Sequence, residues 1–245
     1  GLRITGDGIG IVNLSVSPAI FTTSGANNCN NIDVISTANA LCGLAIANSN
    51  YVWIENVSLN STNTSVGHGV LLYNVFHSHF SDAIISGNLK SLKANNVRFS
   101  SFDKIKSDKS AGLGIVLDSS VDNVFVETDV AGAGSGGIEL NSSNRNRFFS
   151  TRVFNTRGTG YGLTISGSLD NIFNGVVLAN NNASQLYVFS SSNNIFQDVT
   201  AINGASQGIL VATGSNDNTF NRVAVANNAD GIWSSVGHNK YVDIA

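Results

Sequence analysis

Leu186-Tyr187-Val188-Phe189-Ser190-Ser191-Ser192-Asn193-Asn194-Ile195-Phe196-Gln197-Asp198-Val199-Thr200-Ala201 contains most of the unit from which this chain is built. Leu186 and Val188 alternate with Tyr187 and Phe189, the period-two pattern of a strand. Ser190 to Asn193 is turn chemistry, because short hydroxyl and amide side chains bond their own backbone. Asn194 and Phe196 then point one way, Val199 and Ala201 follow after a bend, and Asn203-Gly204-Ala205-Ser206 turns the chain back. Residues 185 to 207 therefore hold three short strands and three turns. Gly, Asn and β-branched residues dominate and no 3.6-residue apolar period persists, so helices find no place.

The same unit recurs along the chain. An apolar anchor, usually Phe, returns every 21 to 26 residues: Ile32, Ile54, Phe80, Phe102, Phe125, Phe148, Phe173, Phe196, Phe220 and Tyr241. From the fifth anchor onward an Asn stands two residues earlier: Asn123, Asn146, Asn171, Asn194, Asn218 and Asn239. Ten residues before most anchors lies a Gly-apolar-x-apolar strand, as in Gly114-Ile115-Val116-Leu117 and Gly137-Ile138-Glu139-Leu140. A fixed period of this size marks a stack of like supersecondary units. The expectation is one all-β domain over residues 1–245, a single-stranded parallel β-helix (β-solenoid) of about ten rungs at ~23 residues each. Residues 1–24 are expected to form an irregular first rung or cap, and 25–245 the regular rungs. At ~4.8 Å per rung the rod is roughly 48 Å long. The Phe column fills its interior, and Val57, Ile105, Val176, Val199, Val223 and Ile244 supply a second apolar wall. The Asn column falls where strand meets turn, where Asn tolerates left-handed backbone and stacked amides bond from rung to rung.

Composition narrows the function classes. Only 12% of residues are charged, against about 25% in ordinary soluble proteins. A net charge of −3 and the absence of any Lys/Arg run argue against a nucleic-acid or anionic-membrane footprint. No apolar stretch approaches the ~20 residues of a membrane-spanning helix. The chain has no Met and begins with Gly, so a processed or trimmed product is expected. Cys29 and Cys42 fall at non-equivalent points of the coil, and both a bridge and two buried or idle thiols stay open.

These columns make the chain resemble the right-handed parallel β-helix superfamily, whose pectate-lyase-like members carry an internal Asn ladder and stacked interior aromatics. The resemblance covers about residues 25 to 245 and implies a right-handed coil. The superfamily holds lyases, hydrolases, phage tailspikes, adhesins and structural rods, so the fold alone implies no single activity. Carbohydrate-cleaving members resemble one another in clustering carboxylates on neighbouring rungs. Here the charges alternate instead: Asp82, Lys104, Glu127; Asp198, Arg222, Asp243; Lys106, Asp129, Arg152; and Asp122, Arg145, Asp170. Alternation is what stacking at strand spacing needs, since like charges directly opposite are destabilising. The charges are read as structural ladders, with recruitment of one Asp by a ligand left open. Gly67-His68-Gly69 resembles a polygalacturonase motif, but where that template has paired acids this chain has Ala45-Ile46-Ala47-Asn48. His77-Ser78-His79 places two imidazoles on one side of a strand, as a metal site would. Their expected rung neighbours, Tyr51, Trp53, Phe99 and Ser101, offer neither carboxylate nor Cys. No catalytic residue, metal site or cofactor is assigned.

One surface is unlike a solvated wall. Outward positions of the first strand of each rung include Leu71, Tyr73, Val116, Tyr187, Phe189, Leu210 and Trp233. A stacked apolar stripe calls for an explanation that a scattered residue does not. Three readings compete: a lateral protein interface, a platform on which sugar rings stack, or a surface covered by a loop such as 60–68 or 107–113. The sequence stops in mid-pattern at Tyr241-Val242-Asp243-Ile244-Ala245, so either the chain is a fragment or another copy completes each end. The expected function is an extracellular or cell-surface structural and adhesive β-solenoid that assembles with itself, with head-to-tail growth into a filament as the form this would take. The alternative is a polysaccharide-binding or polysaccharide-cleaving β-helix. The expected partners are a second copy or a polysaccharide, with no nucleic acid and no membrane insertion.

Overall fold

Strands this short cannot bury a face alone, so each stacks on its equivalent one rung away. The computed structural model describes residues 2–4, 10–12, 15–16, 42–60, 67–235 and 237–245. All described pairings between strands are parallel. Ten strands form the first sheet, running from Leu2–Ile4 and Cys42–Asn50 up to Gln207–Val211 and Asp230–Ser234. A second sheet of seventeen strands carries two columns: the anchor strands, such as Arg147–Phe149, and the strands just after them, such as Arg152–Phe154. In Ile195–Ile202 and Thr219–Ala226 the two columns merge through a bend into single strands. The architecture is a right-handed parallel β-helix, and no helix occurs among the described residues.

Register is strict because each wall is apolar. Phe102 pairs with Phe125, Phe125 with Phe148, and Phe196 with Phe220. From Phe80 to Tyr241 the rings stack with centroids 4.3–5.2 Å apart and planes within 10°. Strand spacing imposes that repeat, and rings so nearly parallel at such distances are slipped, which suits their quadrupoles. Val57, Ile105, Val176, Val199 and Val223 line the next wall, each buried. Ile85, Val130, Val153 and Leu178 close the third. The first sheet contributes Leu72, Leu117, Leu140, Ile165 and Val188 from the opposite side.

Gly114, Gly137 and Gly208 sit where the first sheet enters the interior. A β-carbon on Gly114 would meet the Val130 side chain and lie 2.7 Å from the Gly137 carbonyl oxygen. The recurrent Gly therefore answers to space.

One anchor of the sequence reading differs. Leu2–Ile4, Gly10–Val12 and Ser15–Val16 pair with Cys42–Asn50, Trp53–Glu55 and Ser58–Asn60. Residues within 1–24 thus supply all three strands of a rung, and Ile11, not Ile32, pairs with Ile54. Ile32 and the Cys29–Cys42 question lie outside the described residues. Counting from the sequence favoured Ile32 because it sits one period before Ile54, whereas the 43-residue step back to Ile11 has no periodic signal.

Candidate functional site

Stacked polar columns mark the corners. Asn123, Asn146, Asn171, Asn194 and Asn218 are all buried, and each side-chain oxygen accepts from the preceding rung. The Asn146 backbone N–H donates to Asn171 Oδ1 at 2.9 Å, and the Asn171 N–H to Asn194 Oδ1 at 2.9 Å. Asn239 continues the column above Asn218 at 3.0 Å. Below Asn123 it runs on through serine: Ser100 N–H donates to Asn123 Oδ1, and Ser78 N–H to Ser100 Oγ. A second ladder, invisible to the anchor reading, joins Ser120, Ser143, Ser168, Ser191 and Ser215 through backbone N–H to Oγ bonds. Those serines read as turn chemistry; only their equal offset from each anchor marks them as a column.

Three of the four charge runs are tied by forks. Arg145 reaches back to Asp122 with two bonds of 2.8 Å, Arg152 to Asp129 at 2.7 and 2.6 Å, and Arg222 to Asp198 at 2.7 and 2.8 Å. The bond from Arg222 holds the Asp198 carboxyl below its ordinary range. The Asp82–Lys104–Glu127 run is different: Lys104 lies 3.9 Å from its sequence neighbour Asp103. Strand register places Lys104 between the rungs of Asp82 and Glu127, but a flexible stem lets it turn elsewhere. Asp82, Lys104, Lys106, Glu127, Asp129 and Arg152 line a shallow groove of about 660 Å³. Its acids and bases interleave, unlike a carboxylate cluster.

The apolar stripe is corrected in two respects. Register confirms that Tyr187, Leu210 and Trp233 adjoin. Lower down the same column reads Ala45, Leu71, Lys93, Val116, Glu139, Thr164. Glu139 and Thr164 interrupt it, so the stripe is not continuous. Leu71 and Val116 are only 3% and 1% exposed although neither joins the interior cluster. Facing outward does not guarantee contact with solvent: Lys93 stands between them in register, its stem buried and its ammonium 3.4 Å from Asp118, as long cationic side chains do over apolar surface. Tyr73 is half-buried and aligned with Asn95. The exposed part is a platform at the other end, with Phe189 39% and Trp233 49% exposed. Tyr161, absent from the sequence reading, stacks on Tyr187 at 4.6 Å, and Tyr187 faces Phe189 at 6.2 Å. Tyr161 escaped notice because it lies in the turn before its strand, where period-two alternation carries no signal. Burial, then Tyr161, pushes the Tyr187 hydroxyl above its usual range, so it remains a protonated donor.

A second aromatic surface lies near the other end. Tyr51, His77 and Phe99 occupy one corner column, His77 sandwiched between the rings at 5.5 and 5.1 Å. Beside them Trp53 packs on His79 at 4.9 Å, and His79 Nδ1 lies 2.7 Å from Ser101 Oγ. These residues line a cleft of about 370 Å³.

A rod of parallel rungs with an interior ring stack, an Asn ladder and an aromatic outer surface defines a protein of the parallel β-helix class. The family model described as periplasmic copper-binding protein (NosD) matches residues 95–243, more than half of the chain, and the chain belongs to that family. Among solved structures it is similar to the A-module of mannuronan C-5 epimerase AlgE4 from Azotobacter vinelandii, with TM-score 0.64, 13% identity, and 83% of this chain and 70% of that one covered. It is also similar to the periplasmic alginate epimerase AlgG, with TM-score 0.53, 14% identity, and 83% and 47% covered. The enzymatically active domain of bacteriophage CBA120 tailspike protein 2 gives TM-score 0.54, 13% identity, and 83% and 36% covered. The chain thus spans under half the length of AlgG and of the tailspike domain. No curated protein sequence matches it.

Proposed function

We propose that this chain is a non-enzymatic, adhesive β-solenoid of the cell envelope that holds polysaccharide on its aromatic outer surface. The observation that carries this reading is the Tyr161–Tyr187–Phe189 platform, continued in register by Leu210 and Trp233. Flat aromatic faces at Tyr161, Tyr187, Phe189 and Trp233, with Leu210 in the rung between Tyr187 and Trp233, suit the apolar faces of successive sugar rings, with a phenol hydroxyl as hydrogen-bond donor. The family and AlgG are both described as periplasmic, which supports a secreted or envelope location. Mannuronan and alginate are named for the structural neighbours, which supports a polysaccharide ligand. The charge order supports binding without cleavage: Asp122, Asp129 and Asp198 are each engaged by an Arg fork, which leaves no facing pair of free carboxylates there for acid–base work.

The family description names copper. Among the described residues no three His, Cys, Asp or Glu side chains converge. His77 and His79 supply two imidazoles, one wedged between rings and one bonded to Ser101. Two such donors do not make a copper centre, and no step is assigned to the metal.

Affinity electrophoresis through gels containing soluble polysaccharides tests the proposal. The wild type is expected to be retarded by at least one polymer without releasing reducing ends or unsaturated products, and Trp233→Ala with Tyr187→Ala to be retarded less by that polymer. Product release would restore the enzyme reading. Retardation in no gel, together with light scattering showing growth with concentration, would favour a purely structural self-assembling rod.

A further inference from the structure

The corner column that contains Tyr51, His77 and Phe99 continues in later rungs as Asp122, Arg145, Asp170, Asn193 and Asp217. Every one of these residues has a φ between 51° and 59°. That left-handed conformation suits Asn and Asp, whose short side chains bond locally, and is uncommon for bulky rings. Three successive rungs nevertheless place rings there, and the rings are not hidden. Tyr51 is 64% exposed, Phe99 53%, and Trp53 in the adjoining row 52%. Exposed rings held in a backbone conformation that a smaller polar residue adopts more easily are poor choices for stability alone. Strain of this kind concentrates at binding sites.

The chemistry of the cleft defines its ligand. Tyr51, Val52, Trp53, His77, Ser78, His79, Phe99 and Ser101 line it, with no Asp, Glu, Lys or Arg among them. Its polar groups are imidazole nitrogens and hydroxyls, which both donate and accept, and its apolar groups are flat. Among these described residues an anionic sugar finds no Lys or Arg. We propose that the cleft is a second saccharide site, selective for uncharged sugar rings. It takes one or two pyranose rings face-on against Trp53, Tyr51 and Phe99, with hydroxyls bonded to His79 and Ser101. This site rests on the polysaccharide reading above but differs from the platform in place. Its centre at His77 lies five rungs below Tyr187, a rise of roughly 24 Å along the axis at strand spacing, so a long chain that reaches both gains from effective concentration.

The protein carries two tryptophans, Trp53 in the cleft and Trp233 on the platform, so fluorescence reads each site separately. In Trp233→Phe the emission comes from Trp53 alone. Titration with a panel of neutral hexaoses (cello-, xylo- and manno-oligosaccharides) is expected to shift or quench that emission for at least one sugar. Oligomannuronate of the same length is expected to leave it unchanged. Placing Phe99→Asn in this background swaps the ring for the residue type found at Asn193. It is expected to weaken binding about two- to tenfold, one stacked ring being worth about that factor, while leaving the melting temperature equal or higher. No response of Trp53 to any neutral hexaose overturns the cleft, as does an equal response to oligomannuronate. A drop in melting temperature of Phe99→Asn with binding intact shows that the rings serve stability and also overturns it. The converse variant, Trp53→Phe, follows Trp233 alone; silence there while Trp53 responds overturns the platform and leaves the cleft standing.

Discussion

Replacing Asn171 by Leu tests whether the amide column holds the rod in register. Asn171 is fully buried. Its Nδ2 donates to the Ser143 carbonyl at 2.9 Å, the Leu169 carbonyl at 3.1 Å and Asn194 Oδ1 at 3.0 Å. Its Oδ1 accepts the Asn146 backbone N–H at 2.9 Å and Asn146 Nδ2 at 3.2 Å. Leu matches Asn in branching and heavy-atom count but is bulkier, so some overpacking adds to the cost of the polar groups left behind. Asn194 Oδ1 keeps the Asn171 backbone N–H, and Asn146 Nδ2 keeps the Ser120 carbonyl. The Asn146 N–H and the Ser143 carbonyl lose these partners within the rod. Two buried groups at about 1–3 kcal/mol each give a loss of about 2–6 kcal/mol. At about 2–4 °C per kcal/mol for a chain of this size, the midpoint should fall by about 10 °C. Asn239→Leu should cost less, because its bonds to Asn218 are only part-buried and water can substitute there. Thermal melts followed by far-ultraviolet circular dichroism, with urea titration as a second reading, compare the two variants. An unchanged midpoint for Asn171→Leu, or equal losses at both positions, would refute the reasoning.

Two further outcomes are expected. Phe148, fully buried between Phe125 at 4.6 Å and Phe173 at 5.1 Å, should cost about 3–5 kcal/mol as Phe148→Ala and clearly less as Phe148→Leu; equal urea midpoints for the two would contradict a close-packed ring column. His68 is held down to a pKa of about 3 by burial, then by Lys90 and Lys93, so the unfolded chain takes up a proton that the folded one refuses. Stability is then present above the ordinary value of 6.5 and lost as the pH falls from there toward 3, with a slope of up to about 1.4 kcal/mol per pH unit. Melts between pH 7 and pH 5, where few other groups titrate, should show this slope in the wild type and its reduction in His68→Asn.

Much of the molecule was settled by sequence alone, because a solenoid repeats its environment. Each rung sees the rung below, so equal offsets from Phe102, Phe125, Phe148, Phe173, Phe196 and Phe220 mean equal surroundings, and periodicity becomes contact. The ring stack, the five buried Asn of the ladder and the neighbours of His77 and His79 follow from that rule. The rule fails where the period breaks, as between Ile11 and Ile54. It also cannot tell outward from exposed, since alternation gives only the side of the strand on which a residue lies. Leu71 and Trp233 share one column, yet only the tertiary structure shows the first buried and the second open. The partner of a flexible side chain is equally a matter of three dimensions: Arg222 reaches across to Asp198 while Lys104 turns to Asp103. The strained aromatic corner at Tyr51, His77 and Phe99 likewise had no one-dimensional signature, because backbone φ is set by the coil's geometry and not by the residue that occupies the corner.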